Sequence, residues 1–227
     1  MGISCMVLGH SGVGKSSSIE NLDPEKTLII KSISKPLPFR AGKFKNWDKE
    51  AMTGNIINTD NSAVIQAIIR GAREKGKKII VIDDVQYIMA NEFMRSSEEK
   101  GYEKYTRLGK NMWGILNTAN EECDEDVRVY FLSHTEETEN GMIKMKTVGR
   151  LLDNLITLEG LSTVVLRAMK TTDKYFFSTQ NNGRDTCKSP KGMFDTLEID
   201  NDLSIVDKAI CSYYDIKDEK QTKKETK

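Results

Sequence analysis

Nine consecutive residues carry the clearest chemistry in this chain: Gly9, His10, Ser11, Gly12, Val13, Gly14, Lys15, Ser16 and Ser17. The first eight fit G-x-x-x-x-G-K-[ST], the pattern of a phosphate-binding loop. Glycines let the backbone turn its N–H groups inward as a nest for anionic oxygens. A helix starting at the same place adds the positive end of its dipole. In such a loop Lys15 reaches the β- and γ-phosphates and the Ser16 hydroxyl ligates Mg²⁺. The competing reading is a glycine-rich turn that binds nothing. The apolar run Ile3–Leu8 before the loop and the helix expected from Lys15 to Asn21 after it argue for the phosphate reading.

A second acidic signal agrees with the first. Lys78-Ile79-Ile80-Val81-Ile82-Asp83-Asp84 is an unbroken aliphatic run ending in two carboxylates. Such a run reads as a strand buried on both faces of a parallel sheet. An acid at its C-terminal end lies in the crevice where α/β sheets bind ligands. Asp83 is therefore the candidate Walker B residue, holding Mg²⁺ directly or through water. Asp84 either polarises the attacking water or caps the segment that follows.

The elements that position these groups can be read from pattern. Strands are expected at Ile3–Leu8, Thr27–Ser32, Lys78–Asp84 and Val127–Leu132, and a hairpin pairs Thr163–Ala168 with Lys174–Thr179 about Thr171–Asp173. Asp60 is the expected cap of a helix running to about Lys75, with Val64, Ile65, Ile68, Ile69 and Ala72 on one face. Ile88–Lys100 reads as a loop or frayed helix. A longer helix follows, with a core stripe of Tyr105, Leu108, Met112, Ile115 or Leu116, and Ala119. Further helices are expected near Val148–Leu155 and, capped by Asp202, over Leu203–Tyr214. Alternating strands and helices predict an α/β fold, a mostly parallel central sheet with an antiparallel C-terminal extension. Residues 1–214 read as one domain. Residues 215–227, nearly all charged or polar, read as a disordered tail.

Composition narrows the function. The 227 residues hold 34 Lys+Arg and 34 Asp+Glu, a formal net charge of zero, so bulk electrostatic binding to nucleic acid has no support, although a local basic patch is still compatible with the numbers. The four cysteines are scattered without a C-x-x-C pair, which is expected of reduced thiols in a cytoplasmic protein. Two histidines cannot build an ordinary His-rich metal site. No apolar stretch approaches bilayer length, so no membrane partner is expected.

Together, GHSGVGKSS, SISKPLPFR, IIVIDDVQYIMANEFM, VYFLSHTEE, KTVGRLLDN and NNGRDTCKSPKGMF resemble bacteriophage nucleotide-binding proteins of the RecA-like ATPase superfamily, most closely the single-strand-annealing ATPases. The resemblance spans roughly Ile3 to Tyr214. It implies a RecA-like P-loop core in which Val127–Leu132 lies between the phosphate-loop strand and the Walker B strand. Ser133 or His134 then sits near the γ-phosphate as a sensor, the alternative for His134 being a strand-end imidazole facing solvent. It implies DNA-contacting loops at Met89–Lys110 and Thr135–Lys146, with charge from Arg95, Lys100, Lys104, Arg107, Lys110, Lys144 and Lys146 and stacking from Tyr102 and Tyr105, the alternative being a solvated helix face on which Glu98, Glu99 and Glu103 dilute the bases. It implies a cation, Arg184 or Lys188, acting on a neighbouring subunit's nucleotide, the alternative being an ordinary basic turn. The chain departs from RecA proper in one respect: no acid ends the Thr27–Ser32 strand.

The expected function is a Mg²⁺-dependent ATPase acting on single-stranded DNA in phage recombination or replication. It is expected in the cytoplasm of the infected host, self-associated as a ring or filament, with a phage single-strand-binding or replication protein as a further partner. Two other classes stay open: an ATP-switched loader or adaptor of the replication machinery, and a P-loop kinase of a small molecule, against which the missing arginine-rich lid counts.

Overall fold

The computed structural model describes residues 1–149 and 156–217. Among the described residues, ten strands, β1 (Ile3–Leu8), β2 (Thr27–Lys31), β3 (Ile56–Asn58), β4 (Ile79–Asp83), β5 (Arg128–Ser133), β6 (Thr135–Glu137), β7 (Ile143–Met145), β8 (Val164–Lys170), β9 (Tyr175–Ser178) and β10 (Glu198–Asp200), alternate with helices α1 (Ser62–Arg70), α2 (Gln86–Arg95), α3 (Glu103–Asn117) and α4 (Leu203–Tyr213). Eight strands form one sheet in the order β10-β9-β8-β1-β5-β4-β2-β3, while β6 and β7 form a separate hairpin. From β8 to β3 every neighbouring pair is parallel, and β9 and β10 are added antiparallel. The central strand β5 pairs with both β1 and β4, so one strand separates the phosphate loop from Asp83. This is the expected α/β architecture, a mostly parallel central sheet with an antiparallel C-terminal extension.

The aliphatic runs explain why the sheet is central. Alternate residues of β1, β4 and β5 enter two different cores. Met6, Leu8, Ile80, Ile82, Val129 and Phe131 pack under α1, α2 and α3. Cys5, Val7, Val81, Tyr130 and Leu132 pack on the opposite face with Ile19, Leu22, Phe44 and the α4 residues Leu203, Val206 and Ile210. Strands buried on both faces carry no polar side, hence the unbroken runs in the sequence.

Several expectations need correction. The helix after the phosphate loop shrinks to one 3-10 turn, Ser16–Ile19, because the Ser18 hydroxyl bonds the Lys15 carbonyl at 2.6 Å and competes with helix propagation. Asn61, not Asp60, caps α1, accepting from the amides of Ala63 and Val64, and α1 ends at Arg70. Asp60 instead accepts from Arg95 and Asn91 of α2. Ile88–Lys100 is largely helical, so the segment Met89–Lys110 consists mainly of α2 and α3 rather than of a loop. Strands β3 and β10 and the β6–β7 hairpin escaped the pattern because each has three residues, too few for alternation to register. The β8–β9 hairpin and the Asp202 cap of α4 are as expected, the Asp202 carboxylate accepting from Ser204 N at 2.7 Å. Of the helix expected near 148–155, residues 150–155 lie outside the described residues, as does 218–227 of the tail.

Candidate nucleotide site

Parallel pairing brings four strand ends to one edge of the sheet. Leu8 aligns with Ser133, and Lys31 with Asp83. The Gly9 amide bonds the Ser133 carbonyl at 3.1 Å and so fixes where the loop leaves β1. Beyond these ends lies a cleft of about 420 Å³ lined by Ser11, Gly12, Gly14, Lys15, Ser16, Ser17, Lys35, Pro36, Pro38, Asp84, His134 and Tyr175. Gly9 and Val13 serve the loop from beneath, with Val13 packed on the core. His10 is exposed, and its ring Nδ1 lies 3.4 Å from the Thr135 hydroxyl.

Two glycines let the loop close. Gly12 and Gly14 have φ of 80° and 91°, which a residue with a Cβ adopts only under strain. At Gly14 space is missing as well: a Cβ there would stand 2.9 Å from a ring carbon of Tyr175 and 3.1 Å from the Asn201 amide oxygen. Lys15 Nζ bridges the base of the loop, donating to the carbonyls of Gly9 and His10, both at 2.8 Å. Burial lowers the Lys15 ammonium to about 8, partly opposed by Asp84 and Asp83.

Ser16 Oγ donates to Asp83 Oδ1 at 2.8 Å, joining the phosphate loop to the end of β4. Asp83 is 2% exposed, and burial, followed by repulsion from Asp84, raises its carboxyl above the usual range. A hard-oxygen pair of hydroxyl and buried carboxylate is a donor set for a divalent cation, whose charge would reverse that upward shift. Around the cleft Lys15, Lys31 and Lys35 outnumber Asp83 and Asp84, a charge balance that suits an anionic ligand. The residues present therefore fit both Mg²⁺ and a polyphosphate.

Asp84 is held unusually. It sits at φ 61° in the left-handed region, which lets the chain turn from β4 into α2 while the Val85 amide bonds the Leu132 carbonyl at 2.9 Å. Strain of this kind concentrates at functional sites. Its carboxylate is ion-paired with Lys35 Nζ and lies 3.3 Å from His134 Nε2. Burial pushes its pKa up, but the hydrogen bonds from His134 and Lys35 outweigh burial and bring it down to about 2. His134 thus faces the cleft, not solvent, and its amide is fixed by Gln86 Oε1 at 3.2 Å. Ser133 Oγ lies 3.3 Å from the same Gln86 oxygen.

Lys31 and Lys35 were not foreseen as a pair. Lys31 ends the buried strand β2, where burial lowers its ammonium despite Asp83 alongside, and its Nζ donates to the Lys35 carbonyl. A lysine closing an apolar run, four residues before a Lys-Pro step, was the available signal. Arg184 and Lys188 do not line the cleft. Arg184 is exposed, its carbonyl accepting from Ile143 of β7, and Lys188 exchanges both backbone hydrogen bonds with Val165 of β8. The basic residues of α2 and α3 are largely engaged: Arg95 with Asp60 at 2.7 Å, Arg107 with Glu92 at 3.3 Å and Glu99 at 2.8 Å, and Lys104 over the Phe93 and Tyr105 rings. Tyr102 is 86% exposed. Lys144 pairs with Glu136 across the β6–β7 hairpin.

A roomier cavity of about 650 Å³ lies at the opposite end of β1, between Gly2, Asn120, Glu125 and Tyr214. It has no glycine loop, and its lining sets one lysine, Lys217, against four carboxylates, so the chemistry, not the volume, points to the loop-side cleft for an anionic ligand. No helix among the described residues is long and apolar enough to cross a membrane.

No family model matches the chain, and no curated protein matches it. Among solved structures it is similar to a KaiC-like protein, PH0186, from the hyperthermophilic archaeon Pyrococcus horikoshii OT3, at 13% identity over 77% of this chain and 76% of that one, with a TM-score of 0.39.

Proposed function

We propose that this chain is a Mg²⁺-dependent ATP-binding protein and ATPase of the phage single-strand-annealing type, acting on single-stranded DNA in recombination or replication as a self-assembled ring or filament. The observation that carries the nucleotide part is the Ser16–Asp83 hydrogen bond beside Lys15, at the carboxyl edge of a parallel sheet. Ser16 and Asp83 would hold Mg²⁺, which when bound supplies charge neutralisation to the phosphates. Lys15 gives up two backbone carbonyls for phosphate oxygens, an exchange that restores full charge to a partly desolvated ammonium. Asp84, ionised at any physiological pH, orients water; a carboxylate near pKa 2 is too weak a base to hold that water's proton for long. His134 shares Asp84 and reaches the same space.

The DNA and assembly parts rest on the sequence resemblance, with support from two exposed groups. Tyr102, at the start of α3, offers an unpacked aromatic face near Lys100. Arg184, exposed and outside its own chain's cleft, is available to a second copy as the trans-acting cation, with Lys188 next to it in sequence terms but tied to β8 by its backbone.

A second reading, an ATP-switched loader or adaptor, is favoured by Lys31 standing where RecA proper has an acid, and by the weak basicity of Asp84. One experiment separates these: ATP turnover with and without single-stranded DNA, beside a panel of small phosphoryl acceptors. DNA-stimulated phosphate release supports the ATPase. ATP-dependent capture of a replication protein without turnover supports the adaptor. ADP formation that needs a small acceptor makes the chain a kinase and overturns both.

A further inference from the structure

We propose that Lys35 is the residue by which this site distinguishes ATP from ADP: a cation supplied by the same chain as the phosphate loop, which exchanges its Asp84 partner for the terminal phosphate. The proposal rests on the reading of the cleft as an ATP site and names the group that reads the third phosphate.

Four observations lead to it. Lys35, in the segment after β2, lines the cleft together with Lys15. Its carbonyl is gripped by the buried Lys31 Nζ, and Pro36 follows, so the backbone that carries it is fixed while its side chain is not. The two ends of the Lys35–Asp84 pair are unequal: the Lys35 side chain is 46% exposed and that of Asp84 3%. The lysine is thus the end that can move. Asp84 keeps a second donor, His134 Nε2 at 3.3 Å, so departure of Lys35 does not strand a buried carboxylate.

The lysine end of the pair is half exposed, and His134 stays against Asp84 when Lys35 leaves. A nucleotide diphosphate bound through Lys15 and the loop offers no terminal phosphate for Lys35, and the Lys35–Asp84 pair would persist. A triphosphate offers a more highly charged partner within the same cleft. Lys35 thereby couples occupancy by ATP, and not by ADP, to release of Asp84. Neither Arg184 nor Lys188 of the same chain can serve here, since neither lines the cleft.

The test uses the full chain with Mg²⁺, titrated with fluorescent ADP and a fluorescent non-hydrolysable ATP analogue. Lys35→Ala is expected to weaken the ATP analogue about tenfold or more while leaving ADP within about twofold, the effect of losing one charge-assisted contact to the third phosphate. Lys35→Arg should recover most of the difference. If Lys35 serves only to neutralise Asp84, then in an Asp84→Asn background Lys35→Ala costs nothing; the proposal requires the same selective loss of the ATP analogue there. Lys35→Met, which keeps the aliphatic stem, replaces the alanine variant if melting shows that variant unfolded. Equal losses for both nucleotides, or none, overturn the Lys35 assignment and leave the ATP site standing. Binding of neither nucleotide to the wild-type chain overturns the reading of the cleft itself, and Lys35 with it.

Discussion

Ser16 Oγ and Asp83 Oδ1 lie 2.8 Å apart although 67 positions separate them in sequence, so the first turn after the phosphate loop and the end of β4 meet at one hydrogen bond. The bond ties the loop to the end of a central strand. Ser16→Ala removes a hydroxyl ligand and should raise the Mg²⁺ concentration for half-maximal nucleotide binding about tenfold. Asp83→Asn should do so by more, since it removes charge as well. Equal Mg²⁺ dependence in wild type and both variants, measured by titration with EDTA-buffered Mg²⁺, would show that the metal is held elsewhere.

The ammonium of Lys15, lowered to about 8 by burial, gives the site a pH dependence. Phosphate binding selects the protonated form. The free protein carries it below pH 8 and loses it above, so ATP affinity should be level from about pH 6 to 8 and then fall by up to about tenfold per unit as pH rises. Lys15→Ala should weaken binding about 10- to 100-fold at pH 7 and abolish the alkaline inflection. An inflection that survives in that variant belongs to another group.

Gly12 and Gly14 share a left-handed backbone but not surroundings, and the contrast is testable. At Gly12 a Cβ meets nothing within 4 Å, so Gly12→Ala should cost only the conformational penalty, about 1 kcal/mol. At Gly14 the same change also meets Tyr175 and Asn201. Gly14→Ala should lower stability by at least about 1 kcal/mol more and impair nucleotide binding far more severely. Denaturant unfolding and nucleotide titration on the two variants, compared side by side, check this; equal behaviour would mean that the loop relaxes freely.

Behind the sheet, Arg128 and Asp207 form a buried bidentate pair at 2.7–2.8 Å, and Tyr130 Oη donates to the same carboxylate at 2.7 Å. Asp207→Ala leaves a buried guanidinium uncompensated and should destabilise by about 3–5 kcal/mol. Replacing both partners, Arg128→Met with Asp207→Leu, should recover most of that loss. Urea midpoints at constant slope decide the matter; additive single-site losses in the double variant would show that the pair is not the unit.

The carboxyl edge of the sheet was legible because it is written in contiguous residues. A glycine loop after a strand and two acids after another each announce themselves, and buried parallel strands cannot hide their aliphatic runs. What stayed hidden is made by distance. Lys35 reads in sequence as one more base in a Lys-Pro-rich stretch; only the pairing of β2 with β4 puts it beside Asp84. The α2–α3 bases read as a patch for DNA, yet their acids at Glu92 and Glu99 turn back on them in space. The helix expected over Lys15–Asn21 is shorter than its pattern because the Ser18 hydroxyl bonds the Lys15 carbonyl, a local contact that no apolar spacing reveals.

The last helix has a consequence for the order of events during synthesis. Leu203, Val206 and Ile210 of α4 share a core with Ile19 and Leu22, just after the phosphate loop. Asn21 Nδ2 reaches Asp202 Oδ2 at 2.7 Å, and Asn201 stands against Gly14. The loop thus emerges from the ribosome first, while the surface it rests on emerges some 180 residues later, a delay of about 10–40 s at ordinary elongation rates. A nascent chain carries the whole G-x-x-x-x-G-K-S signature long before it has a seat for it. Nucleotide competence is therefore expected to switch on only when α4 docks, making retention on immobilised ATP a gauge of whether that helix has been made and seated.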